Sequence, residues 1–311
     1  MQIIELKTLT YGRESMVQNR TSSATRYLWQ FLCFLLISSF FAFQKNCSVL
    51  YLLMETKLIL TDLDETLLHS DKSISDYSVK ILNECKKQNI LVGFCTSRGK
   101  INLTQFEQRI KPDIIICNGG ACIYFNDKIL FTNEFSLEET RTILQTAYIE
   151  CGKNCEITLD TIDKIYWNRK KDKSTIYSYD SVFDDFSDFK IPAMKICVQT
   201  DNEQKAKKIA ASIGIGACDY LPFSDIPWYK FSAKTATKEY AIKVLCEKLN
   251  ISLQQVISFG DDFNDIGMLK ICGKGIAMEN AISQVKNVAD DITKTNNEDG
   301  VAFYIEKNIL N

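Results

Sequence analysis

The sequence predicts an α/β fold in which a parallel sheet flanked by helices carries an inserted α+β unit. From Lys57 onward, short apolar runs alternate with segments of helical periodicity, the pattern of a parallel sheet covered by helices. The stretch from about Asn133 to Pro222 differs in composition and interrupts this alternation. At 311 residues the chain is also longer than a single small domain. Two structural units are therefore expected.

The sheet and its helices are predicted from apolar runs and helical stripes. Strands are expected at Lys57–Leu63, Ile90–Cys95, Asp113–Cys117 and Val256–Phe259. Helices are expected at Tyr77–Gln88 and Lys238–Asn250, where apolar residues recur at helical spacing. These segments assign residues 54–132 and 223–311 to the core.

Residues 133–222 are expected to form an α+β cap domain. Ser136-Leu137-Glu138-Glu139 has the capping-box pattern that begins a helix. Strand-like segments follow at Ile157–Leu159 and Met194–Thr200, and a further helix is expected at Asn202–Ser212.

The composition argues against several classes of function. A net charge of −2 leaves no basic excess to bind nucleic acid. The twelve cysteines include no C-x-x-C pair, and His69 is the only histidine, so a zinc cluster is a poor interpretation. The single histidine also argues against Ser-His or Cys-His hydrolysis. Reduced cysteines in a cytoplasmic enzyme are the expected state.

The amino-terminal extension, residues 1–53, allows three interpretations. Residues 28–43 are strongly apolar, which is long for a signal-peptide core and short for a bilayer span of about 20 residues. Residues 48–54 add further apolar length. Membrane contact is expected only if 28–53 is a genuine anchor. Alternatively the biological chain begins at Met54, directly before the first strand, and we favour this start over the anchor.

A pair of aspartates follows the first predicted strand. Alternate residues of a strand face the same side, so Asp62 and Asp64 are expected to project together into the crevice at the sheet's carboxyl edge. Two such carboxylates repel each other unless a proton or a cation is shared between them. A surface turn explains this motif alone equally well.

A second acidic motif, Gly260-Asp261-Asp262-Phe263-Asn264-Asp265, directly follows the strand at 256–259. Asp261 and Asp265 would share a face if a helical turn forms there, although a capped helix start alone explains the segment. Two strand ends that deliver aspartates into one crevice form an oxygen-rich site, for which Mg²⁺ is the natural occupant.

Groups suited to phosphate follow other strands. Thr96-Ser97-Arg98 supplies hydroxyls and amides at a strand-to-helix turn, which can cradle phosphate or simply cap a helix. Lys238 begins a helix, where a lysine is mildly unfavourable, and it either is solvated or reaches a phosphoryl oxygen. Asn118-Gly119-Gly120 is a tight turn by composition.

In this order the motifs resemble the haloacid-dehalogenase superfamily of phosphohydrolases, and more narrowly its Cof-type branch, which has a Rossmann-like core and a large inserted α/β cap. The resemblance covers Lys57 to the carboxyl end. It rests on Asp62-x-Asp64-x-Thr66, Thr96, Lys238, the acidic motif after 259, and the tail segments 276–281, 289–290 and 297–302.

The resemblance implies a Mg²⁺-dependent phosphatase acting on small-molecule phosphomonoesters such as sugar phosphates or phosphorylated cofactors. It makes Asp62 the nucleophile that forms an aspartyl-phosphate and Asp64 the general acid and base. The metal would be held by Asp62, the Asp64 backbone carbonyl and Asp261, with Asp265 and Asn264 orienting that shell. Phosphate would be bound by Thr96, Ser97, Lys238 and Asn264, and Asn118 would contact the substrate.

Two departures from the family pattern and three alternatives remain. Glu65 and Ser97 each stand where the branch usually has glycine, and Glu65 could stiffen the turn after the nucleophile. Asp-Leu-Asp-Glu-Thr also resembles phosphatases that act on the RNA polymerase tail, but those lack such a cap. The same aspartyl-phosphate could serve a phosphotransferase or phosphomutase. A non-catalytic protein that binds phosphate ligands is the third alternative.

Overall fold

The computed structural model describes residues 55–170, 181–223 and 226–310. The apolar stretch at 28–53, with its three interpretations, lies outside these residues. Within the described ranges, no helix is both long enough and apolar enough to cross a bilayer.

Two sheets organise the described chain. The strands are β1 Leu58–Thr61, β2 Leu91–Cys95, β3 Ile114–Cys117, β4 Cys122–Phe125, β5 Lys128–Thr132, β6 Ile157–Asp160, β7 Ile165–Trp167, β8 Ser181–Phe183, β9 Lys195–Gln199, β10 Cys218–Pro222, β11 Trp228–Ala233, β12 Val256–Gly260, β13 Lys274–Ala277 and β14 Asp291–Ile292.

Helices cover both sheets. They are α1 Asp76–Lys87, α2 Thr104–Ile110, α3 Leu137–Cys151, α4 Glu203–Ala211, α5 Lys238–Leu249, α6 Ile266–Ile271, α7 Ser283–Lys286 and α8 Gly300–Asn308. The capping box predicted at Ser136 is formed, since its side chain accepts from the Glu139 amide and the Glu139 side chain accepts from the Ser136 amide.

The core sheet has the strand order β14-β13-β12-β1-β2-β3-β4-β5. Its strands are parallel from β14 to β3, and β4 and β5 form an antiparallel edge. The central strands are buried along their whole length, which explains their continuous apolar runs. The predicted α/β class with a parallel core is confirmed.

The second sheet belongs to the inserted cap and has the order β10-β11-β9-β6-β7-β8. One face packs against α3 and α4 through an apolar cluster that includes Ile157, Leu159, Ile196, Val198 and Phe231. The alternate residues of the same strands point to the opposite face. This second face carries the side chains that meet the core.

The cap extends further along the chain than the sequence indicated. A boundary was expected at Pro222, but Trp228–Ala233 pairs with β9 and β10 in the cap sheet. The difference arises because segment 222–227, with its two prolines, reads as a domain boundary, whereas the strands on either side of it pair with each other in the cap sheet. The chain returns to the core only after Ala233, directly before α5.

Candidate active site

The site forms where two neighbouring core strands end. β1 and β12 run parallel with Thr61 paired to Phe259, so the residues that follow them reach the same edge of the sheet. The Asp62 amide continues the ladder by donating to Phe259 O at 3.0 Å. This register brings Asp62 beside the Asp261 loop.

Three carboxylates and one lysine form the centre of the site. Asp62, Asp261 and Asp265 each offer an oxygen within 4.8 Å of the other two. Lys238 Nζ donates to Asp62 Oδ1 and Asp265 Oδ1, each at 2.6 Å. Lys238, Asp62 and Asp265 are all buried, so these ion pairs are largely shielded from water.

The loop after β12 is shaped by Asp265. Its Oδ2 accepts hydrogen bonds from the amides of Asp261 at 2.9 Å and Asp262 at 3.1 Å. A Cβ on Gly260 would lie 2.5 Å from the Asp265 Cβ, so only glycine fits beneath this carboxylate. Thr66 Oγ1 donates to Asp261 Oδ1 at 2.6 Å and orients that side chain from the other loop.

Crowding of buried carboxylates raises two pKa values. Burial, together with the charges of Asp265 and Asp261, raises the pKa of Asp62 to about 8, although Lys238 opposes the shift. Burial and the neighbouring Asp265 charge raise the pKa of Asp261 to about 7. Lys238 has its pKa raised despite burial, because Asp265 and Asp62 favour its charged form. The cluster thus has more negative charge than one lysine neutralises.

Asp64 lies outside this cluster. β1 ends at Thr61 and the chain turns at once, with Glu65 in the left-handed region at φ 55°, so the expected strand alternation does not apply. Asp64 instead accepts two hydrogen bonds from Arg98, each at 2.7 Å. Burial opposes ionisation, but the bonds and charge of Arg98, aided by Lys72, lower the pKa of Asp64.

The loops after β2 and β3 are tied together beside the carboxylates. Thr96 is buried, and its Oγ1 accepts a hydrogen bond from the Arg98 amide at 3.1 Å. The Asn118 amide donates to Arg98 O at 2.8 Å, and the Gly119 amide donates to Thr96 O at 3.0 Å. Thr96 and Ser97 both line the cavity described below.

Asn118 is placed differently from the expectation. Its side chain is buried, and its Nδ2 donates to the sulfur of Met194 in the cap at 3.4 Å. Among the described residues that line the cavity, Asn118 does not occur. It therefore supports the loop and the cap, and its predicted substrate contact has no direct geometric support. Asn264 is exposed and lines the cavity.

A cavity of about 550 Å³ lies between the core edge and the cap sheet. The core side contributes residues from the segments that follow β1, β2 and β12, together with Lys238. The cap side is largely apolar and includes two tryptophans. Its walls are Thr158, Asp160, Ile165, Trp167, Ser181, Lys195, Cys197, Phe223, Ile226 and Trp228.

Two charged cap residues reach the core. Asp160 and Lys195 are register partners on β6 and β9, and Lys195 Nζ lies 2.8 Å from Asp160 Oδ2. Lys195 Nζ also donates to Ser97 O at 3.4 Å. A Cβ on Gly99 would lie 2.8 Å from Asp160 Oδ2, so the cap carboxylate packs directly on the core loop.

Sequence reasoning did not assign roles to four of these residues. Arg98 and Thr66 stand inside motifs that were recognised, but their partners lie far away in the chain. Asp160 and Lys195 carry no local signal, because their meeting depends on the register of two cap strands.

The comparisons with known proteins agree with this architecture. A family described as haloacid dehalogenase-like hydrolase matches residues 59–305. The chain belongs to the haloacid dehalogenase-like hydrolases. Its inserted α/β cap is that of the Cof-type branch, as the motifs suggested.

The chain aligns with nearly the whole length of individual relatives. A provisionally named phosphatase of Streptococcus pyogenes is 30% identical over 83% of this chain and 100% of its own. The 5-amino-6-(5-phospho-D-ribitylamino)uracil phosphatase of Bacillus subtilis is 27% identical over 83% of this chain and 97% of its own. A haloacid dehalogenase-like hydrolase structure from Bacteroides thetaiotaomicron superimposes with a TM-score of 0.70 at 24% identity, covering 81% and 99% of the two chains.

The donor set fits a magnesium ion. Carboxylate oxygens are the ligands that Mg²⁺ prefers, and it is commonly bound through one or two of them together with substrate phosphate. Asp62 and Asp261 offer such oxygens and have raised pKa values that a cation would reverse. Both Asp265 oxygens already accept hydrogen bonds, from Lys238 and from two amides. The role expected for Asp265, to orient the metal shell, stays a prediction.

Proposed function

We propose that this phosphatase depends on Mg²⁺ and hydrolyses small-molecule phosphomonoesters through an aspartyl-phosphate on Asp62. The single observation that carries the proposal is the buried cluster in which Lys238 joins Asp62 to Asp265 while Asp261 lies within 4.8 Å. Family membership and the named phosphatases among the relatives support the phosphatase activity itself.

In the first step, a carboxylate oxygen of Asp62 attacks phosphorus as the bond to the leaving oxygen breaks. Asp62 is suited to this because it directly follows a buried strand and is held in position by Lys238. In the second step, water attacks the phosphorus of the aspartyl-phosphate. This releases inorganic phosphate and restores the carboxylate.

Asp64 moves the protons of both steps. It protonates the leaving oxygen and later takes a proton from the attacking water. In the structure, Arg98 holds the carboxylate ionised through two hydrogen bonds, which is the form needed for the second step. For the first step, Arg98 must release the carboxyl group, and an incoming phosphate is a suitable new partner for the guanidinium.

The phosphoryl oxygens need positive charge and hydrogen-bond donors. Lys238 supplies a charge fixed by two ion pairs, and Thr96 and Ser97 lie at a turn that can donate hydrogen bonds. Bound Mg²⁺, held by Asp62 and Asp261 with the Asp64 carbonyl as the further expected ligand, would neutralise charge on the phosphoryl group. Asp265 and Thr66 orient the Asp261 loop for this purpose.

The cavity suits a small substrate. Its volume of about 550 Å³ is in the range of small-ligand sites, and its cap wall combines tryptophans with a charged pair. Sugar phosphates and phosphorylated cofactors are the classes we propose. One relative is named for dephosphorylating a ribitylamino-uracil phosphate, which falls between these two classes. We further propose a cytoplasmic location, because the ten cysteines in the described ranges are all free thiols.

The test is a phosphate-release screen over such compounds with and without Mg²⁺. Asp62→Asn is the control, since it keeps the shape and the contact with Lys238 but removes the nucleophile. We expect release by the unaltered enzyme only with Mg²⁺, and none by the variant. Normal turnover by the variant would refute the nucleophile assignment. Product formation only when an acceptor alcohol is added would indicate a phosphotransferase.

A further inference from the structure

One lysine on the core-facing side of the cap sheet has no ion pair within the part of the chain that the structure describes. Lys230 lies on β11, where its register partner on β9 is Cys197, a residue that lines the cavity. Partners in a sheet project to the same face, so Lys230 also points toward the core. Among the described residues, no hydrogen bond or ion pair reaches its ammonium group.

Lys230 is not itself among the described residues that line the cavity, but its ammonium group lies beside Gly119, next to Ser97, which does line the cavity. The position of a Cβ on Gly119 would be 3.6 Å from Lys230 Nζ and 3.9 Å from Ser97 Oγ. Lys195, on the neighbouring strand, contacts the carbonyl oxygen of the same Ser97. The cap therefore brings two ammonium groups to the loops after β2 and β3, which are joined by the hydrogen bond from the Gly119 amide to Thr96 O.

Of the three lysines at this point, Lys230 is the one without a carboxylate partner among the described residues. Lys238 is neutralised by Asp62 and Asp265, and Lys195 is paired with Asp160. Partial burial and the charges of Lys195 and Lys238 lower the pKa of Lys230 to about 8. A partly buried cation among like charges is unfavourable unless an anion binds beside it.

We propose that Lys230, with Lys195, forms a subsite for a second anionic group on the substrate, a carboxylate or a further phosphate. This inference rests on the proposed function. It narrows the substrates to phosphomonoesters whose leaving group carries a second anionic group. Both lysines stand on cap strands, whereas Thr96, Asp62 and Lys238 of the core hold the transferring phosphoryl group. The cap lysines therefore face the part of the substrate that lies beyond the bridging oxygen.

The experiment uses two matched phosphonates that cannot be hydrolysed, 3-phosphonopropionate and propylphosphonate, which differ in one terminal carboxylate. Their affinities for the full-length protein with Mg²⁺ are measured by calorimetry. We expect the carboxylate probe to bind about tenfold more tightly or better, as a hydrogen-bonded charge pair would provide. Lys230→Gln should remove that difference and leave the affinity for propylphosphonate unchanged.

Lys234→Gln is the matched control, because this nearby lysine is exposed and paired with Asp219 outside the cavity. It should keep the tenfold preference. The unfolding temperature of Lys230→Gln should not fall, since the lost charge has no ion-pair partner among the described residues. Equal affinities of the unaltered protein for the two probes would overturn the proposal. An equal loss for both probes in Lys230→Gln would also overturn it, because that lysine would then act on the shared phosphonate.

Binding of phosphonates does not require turnover, so this result is separate from the test of the proposed function. A protein that distinguishes the probes but releases no phosphate from any ester would keep the anionic subsite and lose the phosphatase mechanism. A phosphatase that binds both probes equally would keep the mechanism and lose the subsite.

Discussion

Lys238→Met is the most informative single change at the carboxylate cluster. Lys238 is buried and joins two carboxylates, Asp62 and Asp265, through contacts of 2.6 Å. Removing one partner of a buried ion pair typically costs about 3–5 kcal/mol, because the remaining charge is left uncompensated. We expect a loss of this size in the free energy of unfolding without metal. Phosphate release should fall by about 100-fold or more, since a fixed positive charge is lost from the phosphoryl site.

The double variant Lys238→Met/Asp265→Asn tests the physical reason. An asparagine oxygen can still accept hydrogen bonds from the amides of Asp261 and Asp262, which now bond to Asp265 Oδ2, while one buried negative charge disappears. The double variant should therefore regain about 1–2 kcal/mol relative to the single variant, a coupling of the size usual for residues in contact.

Urea unfolding of the metal-free protein, followed by circular dichroism, measures both variants. Lys243→Met is the matched control, because Lys243 lies on the exposed side of the same helix α5. Its effect should stay within about 0.5 kcal/mol. The reasoning would be refuted if Lys238→Met destabilised no more than this control, or if the double variant were less stable than the single one.

Two further predictions concern pH. The pKa values of Asp62, about 8, and Asp261, about 7, exceed the unfolded value of about 3.9, so the folded metal-free protein holds extra protons and loses stability as pH rises from about 4 to 8. Mg²⁺ should therefore raise the melting temperature more at pH 8 than at pH 6, and equal gains would contradict this. Arg98→Met should raise the pKa of Asp64 and move the acid limb of the pH–rate profile upward; Arg109→Met, an exposed arginine, should not.

The sequence predicted the framework of the site because that framework depends on local patterns. Buried parallel strands read as continuous apolar runs, and the polar residues that end them meet at one edge of the sheet. Asp62 and Asp261 are adjacent for this reason. Lys238 was also predicted correctly at the start of its helix. The sequence left open whether its side chain is solvated, and in the structure the side chain is buried.

The parts that were missed depend on contacts distant in sequence. Asp64 was expected beside Asp62 by strand alternation, but the strand ends at Thr61 and the chain turns toward Arg98. The partner of Arg98 could not be identified from sequence, because the two residues belong to different loops. The cap boundary was misplaced for a similar reason, since only pairing with β9 and β10 reveals that Trp228–Ala233 belongs to the cap sheet.

The return of the chain from cap to core has a consequence for protein engineering. Only segment 234–237 separates the last cap strand from Lys238, and a Cβ on Gly120 would lie 2.2 Å from the Thr237 carbonyl oxygen. This short connection thus packs so closely against Gly120 that no side chain would fit between them. Grafting the cap of a relative onto this core should succeed when the splice keeps the length of segment 234–237, which follows the last cap strand. A splice that lengthens segment 234–237 should shift Lys238 away from Asp62 and inactivate the chimera.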